Sequence, residues 1–146
     1  MGSRDMDERR IDGLMGRDEA VQELRVAIDR GLDWREALWN CVRSYQNEKF
    51  TTFGRGANHA RAIEFTYSIK ISSRSGEETG ELIFSNRRSL KTVTRKTAEQ
   101  ALRNALEEQN EFGFVSGPKK LKVWGHSNLY AMFVRWGVIL QKPCQE

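Results

Sequence analysis

From Ile63 the chain alternates apolar and polar residues without a slip. Ile63, Phe65, Tyr67, Ile69 and Ile71 fall on one side and Glu64, Thr66, Ser68, Lys70 and Ser72 on the other. Period-two alternation of this kind predicts a half-buried antiparallel strand over residues 62–72. Ser73 to Gly80 is rich in turn residues, and Glu81 to Ser85 reads as the returning strand. Upstream, the Phe53-Gly54-Arg55-Gly56 stretch fits either a loop or a short edge element.

On both sides of these strands the period changes to that of a helix. Ala20, Val21, Leu24 and Ile28 share one face of a helix over about 18–30, which Gly31 ends. Asp33, with Glu36 three residues on, resembles a capping box opening a second helix. Its apolar stripe is Trp34, Ala37, Leu38, Cys41, Val42 and Tyr45. Ala98, Ala101, Leu102, Ala105 and Leu106 mark a third helix over about 95–109, started either by Thr94 or by Thr97 with Gln100. Lys119 to Trp124 reads as a short helix or turn, and Ser127 caps a last helix over about 128–136. The expected fold is α+β: an N-terminal helical hairpin, a small antiparallel sheet, and C-terminal helices packed on one sheet face, the face of Ile63, Phe65 and Tyr67. Residues 1–16, polar and charged, read as a mobile arm, and residues 17–146 as a single α+β domain.

Composition narrows the function classes. With 38% hydrophobic and 30% charged residues, the chain is expected to be globular. Its pI near 9.3 and net charge of +4 favour an acidic partner, though a charge this small carries little weight alone. Cys41 and Cys144 have no CxxC partner, and His59 and His126 are far apart, so neither a zinc site nor a disulfide framework is expected. No apolar run approaches a membrane span, and the charged N-terminal residues lack a signal-peptide core. These readings predict a cytoplasmic protein without a membrane partner.

The most pointed chemistry lies between Asn86 and Thr97, where five cations and four hydroxyls occur with no acid among them. The run leads into the start of the third helix. A helix start exposes unpaired N–H groups and the positive end of the dipole. Arginines and hydroxyls at such a place make an anion site suited to phosphate. Thr94, Arg95 and Thr97 are the expected phosphate ligands, with Lys96 beside them, and Arg87, Arg88 and Lys91 supply the surrounding field. The competing reading is a solvated basic loop beside an ordinary hydroxyl cap. Phe112, Phe114 and Trp124 lie in glycine-containing loops near these cations. Phe114 or Trp124 would stack on a base, unless they simply plug the loops into the core. The glycines around Trp124 suggest a lid that folds over Arg95 when a ligand is present.

Residues 121–138 are similar to the final two helices of a Fis-type helix-turn-helix, carried by Ser127, Asn128, Leu129-Tyr130, Phe133 and Trp136-Gly137-Val138. That resemblance implies a DNA-binding regulator in which Lys119, Lys120 and Lys122 touch phosphates and Asn128 and Arg135 read bases. The alternative for the same stretch is a core helix closing the domain. No P-loop, nucleophile elbow, His/Cys pairing or telling carboxylate pair is visible, so neither catalysis nor a cofactor is expected.

Over about 63–139 the chain also resembles small uncharacterised proteins of phages and integrative elements of Firmicutes. The likeness is carried by Lys91-Thr92-Val93-Thr94-Arg95 with Thr97, and by Val115-Ser116-Gly117-Pro118-Lys119-Lys120-Leu121. Leu129-Tyr130 and the run from Phe133 to Ile139 complete it. Such genes are often accessory, including inhibitors of host defence. The resemblance implies an anti-defence protein that sequesters a signalling nucleotide or inhibits a CRISPR-type nuclease complex through its nucleic acid. The partner is thus a nucleotide, a nucleic acid or a host nuclease complex, with homo-oligomerisation left open. A protein-binding inhibitor using a sheet edge or the helical hairpin is a further alternative.

Overall fold

Alternation along the first long strand is realised in the computed structural model, which describes residues 16–52, 63–86, 90–109 and 111–141. The Phe53–Gly56 stretch, Arg87 and Arg88 of the basic run, His59, Cys144 and residues 1–15 of the expected arm lie outside the described residues. The fold is α+β, and the chain divides into two compact units, residues 1–46 and 47–146.

The first unit is a helical hairpin of α1 (Arg17–Asp29) and α2 (Arg35–Ser44). Gly31, at φ +68°, ends α1: its N–H bonds to the Ile28 carbonyl and the Leu32 N–H to that of Ala27. This is the Schellman closure that a left-handed glycine permits. Asp33 Oδ1 accepts from the Arg35 N–H at 3.1 Å, while the Glu36 carboxylate lies 3.4 Å from Arg43. Arg17 donates to the Ser44 carbonyl and lies over the Tyr45 ring, joining the open ends of the hairpin. Cys41 is buried, as its place on the stripe predicts. Trp39, which the stripe omits, is buried too.

The second unit begins with an antiparallel sheet in the order β1 (Phe50–Thr51), β2 (Glu64–Ile71), β3 (Glu78–Ser85), β4 (Leu90–Thr94). Phe65, Tyr67 and Ile69 of β2 are buried with Leu82 and Phe84 of β3 and Val93 of β4. Phe50 stacks on Phe65 at 5.5 Å, and Phe65 and Tyr67 both meet the Phe84 ring edge-on. Ile63 and Ile71 leave the expected stripe, at 51% and 53% exposed. Ile63 precedes the strand, and a register shift between Ile69 and Ile71 ends the regular pairing there.

Over residues 90–94, β4 corrects the competing reading of the basic run as a solvated loop. Leu90 to Thr94 is the third hairpin strand, paired residue by residue with Ser85 to Glu81. Leu-Lys-Thr-Val-Thr has the β-branched content and alternation of a strand, but five residues are too few for the periodicity to stand out beside its charges. The chain passes from β4 straight into α3 (Arg95–Glu108). Then come β5 (Phe114–Val115), a 3-10 turn (Pro118–Leu121), α4 (His126–Arg135) and β6 (Leu140–Gln141), which runs parallel to β5. The C-terminal helices lie on the buried sheet face. The Trp136 ring meets Phe50 edge-on, and Gly125 approaches Phe84 and Val93. Among the described residues, no helix is long and apolar enough to cross a membrane.

Candidate ligand-binding site

Register decides what β4 can present. Lys91 pairs with Phe84 and Val93 with Leu82, so both point to the side of the core helices, whereas Leu90, Thr92 and Thr94 point away. Lys91 lies toward the end of its strand, and its stem runs beside Gly125. Its ammonium emerges between two partners: Asn128 Oδ1 at 3.4 Å and the Trp124 ring, 5.1 Å from the centroid. An apolar stem beneath a charged tip is the usual way to half-bury a lysine. One long hydrogen bond leaves ammonium protons for an incoming anion.

Trp124 is 69% exposed, which sets it apart from Trp39 and Trp136 in the core. Its position follows from the backbone on each side. Lys122 is left-handed at φ +57° and Gly125 at φ +83°, so the chain reverses sharply and turns the indole outward. Gly125 allows this because a Cβ there would lie 2.6 Å from Val93 Cγ2. The loop is tied down elsewhere as well. Asn104 Nδ2 donates to the Leu121 carbonyl at 2.7 Å, the buried Tyr130 hydroxyl donates to that of Val115 at 2.8 Å, and Lys122 pairs with Glu108 at 3.2 Å. Burial raises the Tyr130 pKa. Trp124 is thus mounted on a braced loop above Lys91 rather than on a lid over Arg95.

The start of α3 is already occupied by its own side chains. Thr94 caps the helix, its hydroxyl oxygen accepting from the Thr97 N–H at 3.2 Å and donating to the Thr97 hydroxyl at 3.1 Å. This resolves the two possible starts in favour of Thr94. Arg95 Nε lies 3.0 Å from Glu99 Oε2, an i,i+4 ion pair. The acid thereby offsets a cation placed where the helix dipole disfavours it. Lys96 is exposed on the same turn. Three residues of strand lie between Lys91 and Arg95, a separation of about 13 Å along the chain. Among the described residues of the basic run, the cations therefore form two stations rather than one cradle.

The expected DNA-reading residues are differently placed. Asn128 is only 6% exposed and turned toward Lys91, so it is not presented to a base edge. Arg135 donates to the Lys49 carbonyl, pairs with Glu48 at 3.3 Å and covers the Phe50 ring at 4.6 Å, anchoring β1. Every residue from Asn128 to Phe133 is buried, which marks α4 as a core helix with no face left for a groove. The element before it is a four-residue 3-10 turn, too short for the first helix of a helix-turn-helix. α4 also starts at His126 with Gly125 at the cap position, so Ser127 falls inside the first turn. Lys119, Lys120 and Lys122 lie on or just after the 3-10 turn, and Lys120 and Lys122 share Glu108 at 4.0 and 3.2 Å.

Phe114 is half-buried in β5 opposite Leu140. The Cys41 thiol is pushed up to about 12 by burial and then by Glu23, which keeps it protonated and unreactive. Among the described residues, no group of His, Cys, Asp and Glu is arranged to hold a metal ion. Glu99 was discernible as a counterion from its i,i+4 spacing. Glu108 and Asn128, 14 and 37 residues from their lysines, carry no such signal. No protein-family model, curated protein or solved structure matches the chain.

Proposed function

We propose that this protein is a non-enzymatic binder of a phosphate-bearing ligand, met by Trp124 and Lys91. The observation that carries the reading is a large aromatic ring, mostly open to solvent, resting on a lysine whose position is held by Asn128. A base stacks on such a ring at little conformational cost, and the lysine beneath supplies charge for its phosphate. Arg95 and Lys96 form a second cationic station beyond the other end of β4. Its ligand would have to displace Glu99 from Arg95, so it is the weaker of the two.

The resemblance of residues 63–139 to accessory proteins of phages and integrative elements suggests the setting for this binding. There the protein would act against host defence, by withholding a signalling nucleotide or by occupying the nucleic acid of a CRISPR-type nuclease complex. The competing helix-turn-helix reading is disfavoured by the burial of Asn128 to Phe133.

The test is a thermal-shift and fluorescence titration with cyclic and linear nucleotides, single strands and duplex DNA. Trp124→Ala combined with Lys91→Gln should abolish the response to whichever ligand binds wild type. Full binding by that double variant would remove the site.

A further inference from the structure

Three features of this surface bear on the class of ligand. The first is that Trp124 stands clear of the surface, whereas a mononucleotide site normally encloses most of its ligand in a concave pocket. The second is the spread of cations. Lys91 lies under the ring, Lys122 is two residues before it, Lys119 and Lys120 belong to the preceding turn, and Arg95 and Lys96 lie about 13 Å of strand beyond Lys91. One phosphate cannot reach them all. The third is Glu108, a single carboxylate that holds both Lys120 and Lys122. A carboxylate between two lysines presents them with the same kind of anionic oxygen that a phosphodiester does.

We infer that the ligand is single-stranded nucleic acid, with one base stacked on Trp124 and its backbone phosphates displacing Glu108 from Lys120 and Lys122. The inference rests on the proposed function and goes beyond it by naming the ligand class. An open stacking ring flanked by spaced cations is the arrangement by which a single strand is held without sequence readout. A duplex keeps its bases stacked inside and offers none to an isolated indole. Glu108 then acts as an internal competitor: it pairs with Lys122 at 3.2 Å and approaches Lys120 to 4.0 Å until a polyanion displaces it. Its removal should strengthen binding, the opposite of what loss of a structural salt bridge would do.

The test uses the full chain and fluorescent oligothymidylate and oligouridylate, against thymidine monophosphate and a duplex of the same length. Anisotropy should show tight binding of at least one single strand, with a salt slope of two or more phosphates at about 0.7 log unit each. Trp124→Ala should weaken single-strand binding by about 5- to 150-fold, and Trp124→Phe by less. Glu108→Gln should tighten it by about 2- to 5-fold. Glu107→Gln removes the same charge from the exposed neighbouring position and should change it less.

Thymidine monophosphate binding as tightly as the oligomers would overturn the single-strand inference while leaving the proposed function standing. Duplex binding as tight as single-strand binding would overturn it too. Binding of no nucleotide or nucleic acid would overturn both readings. Equal effects of Glu108→Gln and Glu107→Gln would remove the role given to Glu108. Circular dichroism of each variant separates these outcomes from misfolding.

Discussion

Lys91 Nζ lies 5.1 Å from the centroid of the Trp124 ring, a cation–π contact between a strand residue and a loop residue 33 positions on. Such a contact is worth about 0.5–1 kcal/mol at an exposed site, enough to orient the indole but not to bury it. Trp39 and Trp136 are each buried within their own unit. Trp124 should therefore contribute a red-shifted emission that acrylamide quenches readily, and Trp124→Phe should leave a bluer, less quenchable spectrum. Unchanged quenching in that variant would mean the ring is shielded in solution.

Gly125 is predicted to be intolerant of any side chain. Its φ of +83° is strained for other residues, and an added Cβ would meet Val93 Cγ2 at 2.6 Å. Gly125→Ala should cost about 1–3 kcal/mol, read as a lower denaturation midpoint with little change in slope. The same variant should shift Trp124 emission, because the loop that mounts the ring has to move.

Thr94 stabilises α3 through its cap to the Thr97 N–H at 3.2 Å. Thr94→Ala should cost about 1 kcal/mol and Thr94→Ser much less. Should phosphate or a nucleotide restore the melting temperature of Thr94→Ala more than it raises that of wild type, the helix start would be an anion site after all.

Tyr130 donates to the Val115 carbonyl at 2.8 Å inside the protein, joining α4 to β5. Tyr130→Phe would leave that carbonyl without the hydroxyl and should cost about 1–3 kcal/mol in urea denaturation.

The Cys41 thiol is displaced from its ordinary 9.0 to about 12. Between those values the unfolded chain loses the thiol proton while the folded protein keeps it, so stability should fall as pH rises from about 9 towards 12. Tyr130, also raised by burial, adds to the fall from about 10 upward. Cys41→Ala should flatten the lower part of that decline in denaturation midpoints. In a Cys144→Ser background, Cys41 should resist a thiol reagent at pH 8 until denaturant is added.

The sequence alone determined the elements whose pattern is long enough to repeat. Eight alternating residues make β2 unmistakable, and the stripes of α1, α2 and α3 place those helices to within a few residues, because burying one face requires that spacing whatever the partner. The Thr94 cap was readable as one of two local choices. What the sequence could not settle is which charges meet across the fold. β4 was hidden because five residues leave a weak period, and only pairing with β3 shows that Lys91 points toward α4 while Thr92 points away. The burial of Asn128 to Phe133 was hidden for a similar reason, since exposure is a property of what packs around a helix. The union of Lys91, Asn128 and Trp124, and of Lys120 and Lys122 on Glu108, depends on contacts between residues distant in the chain. Local spacing dictates period and caps; only tertiary packing decides which cation keeps a partner and which ring is left in water.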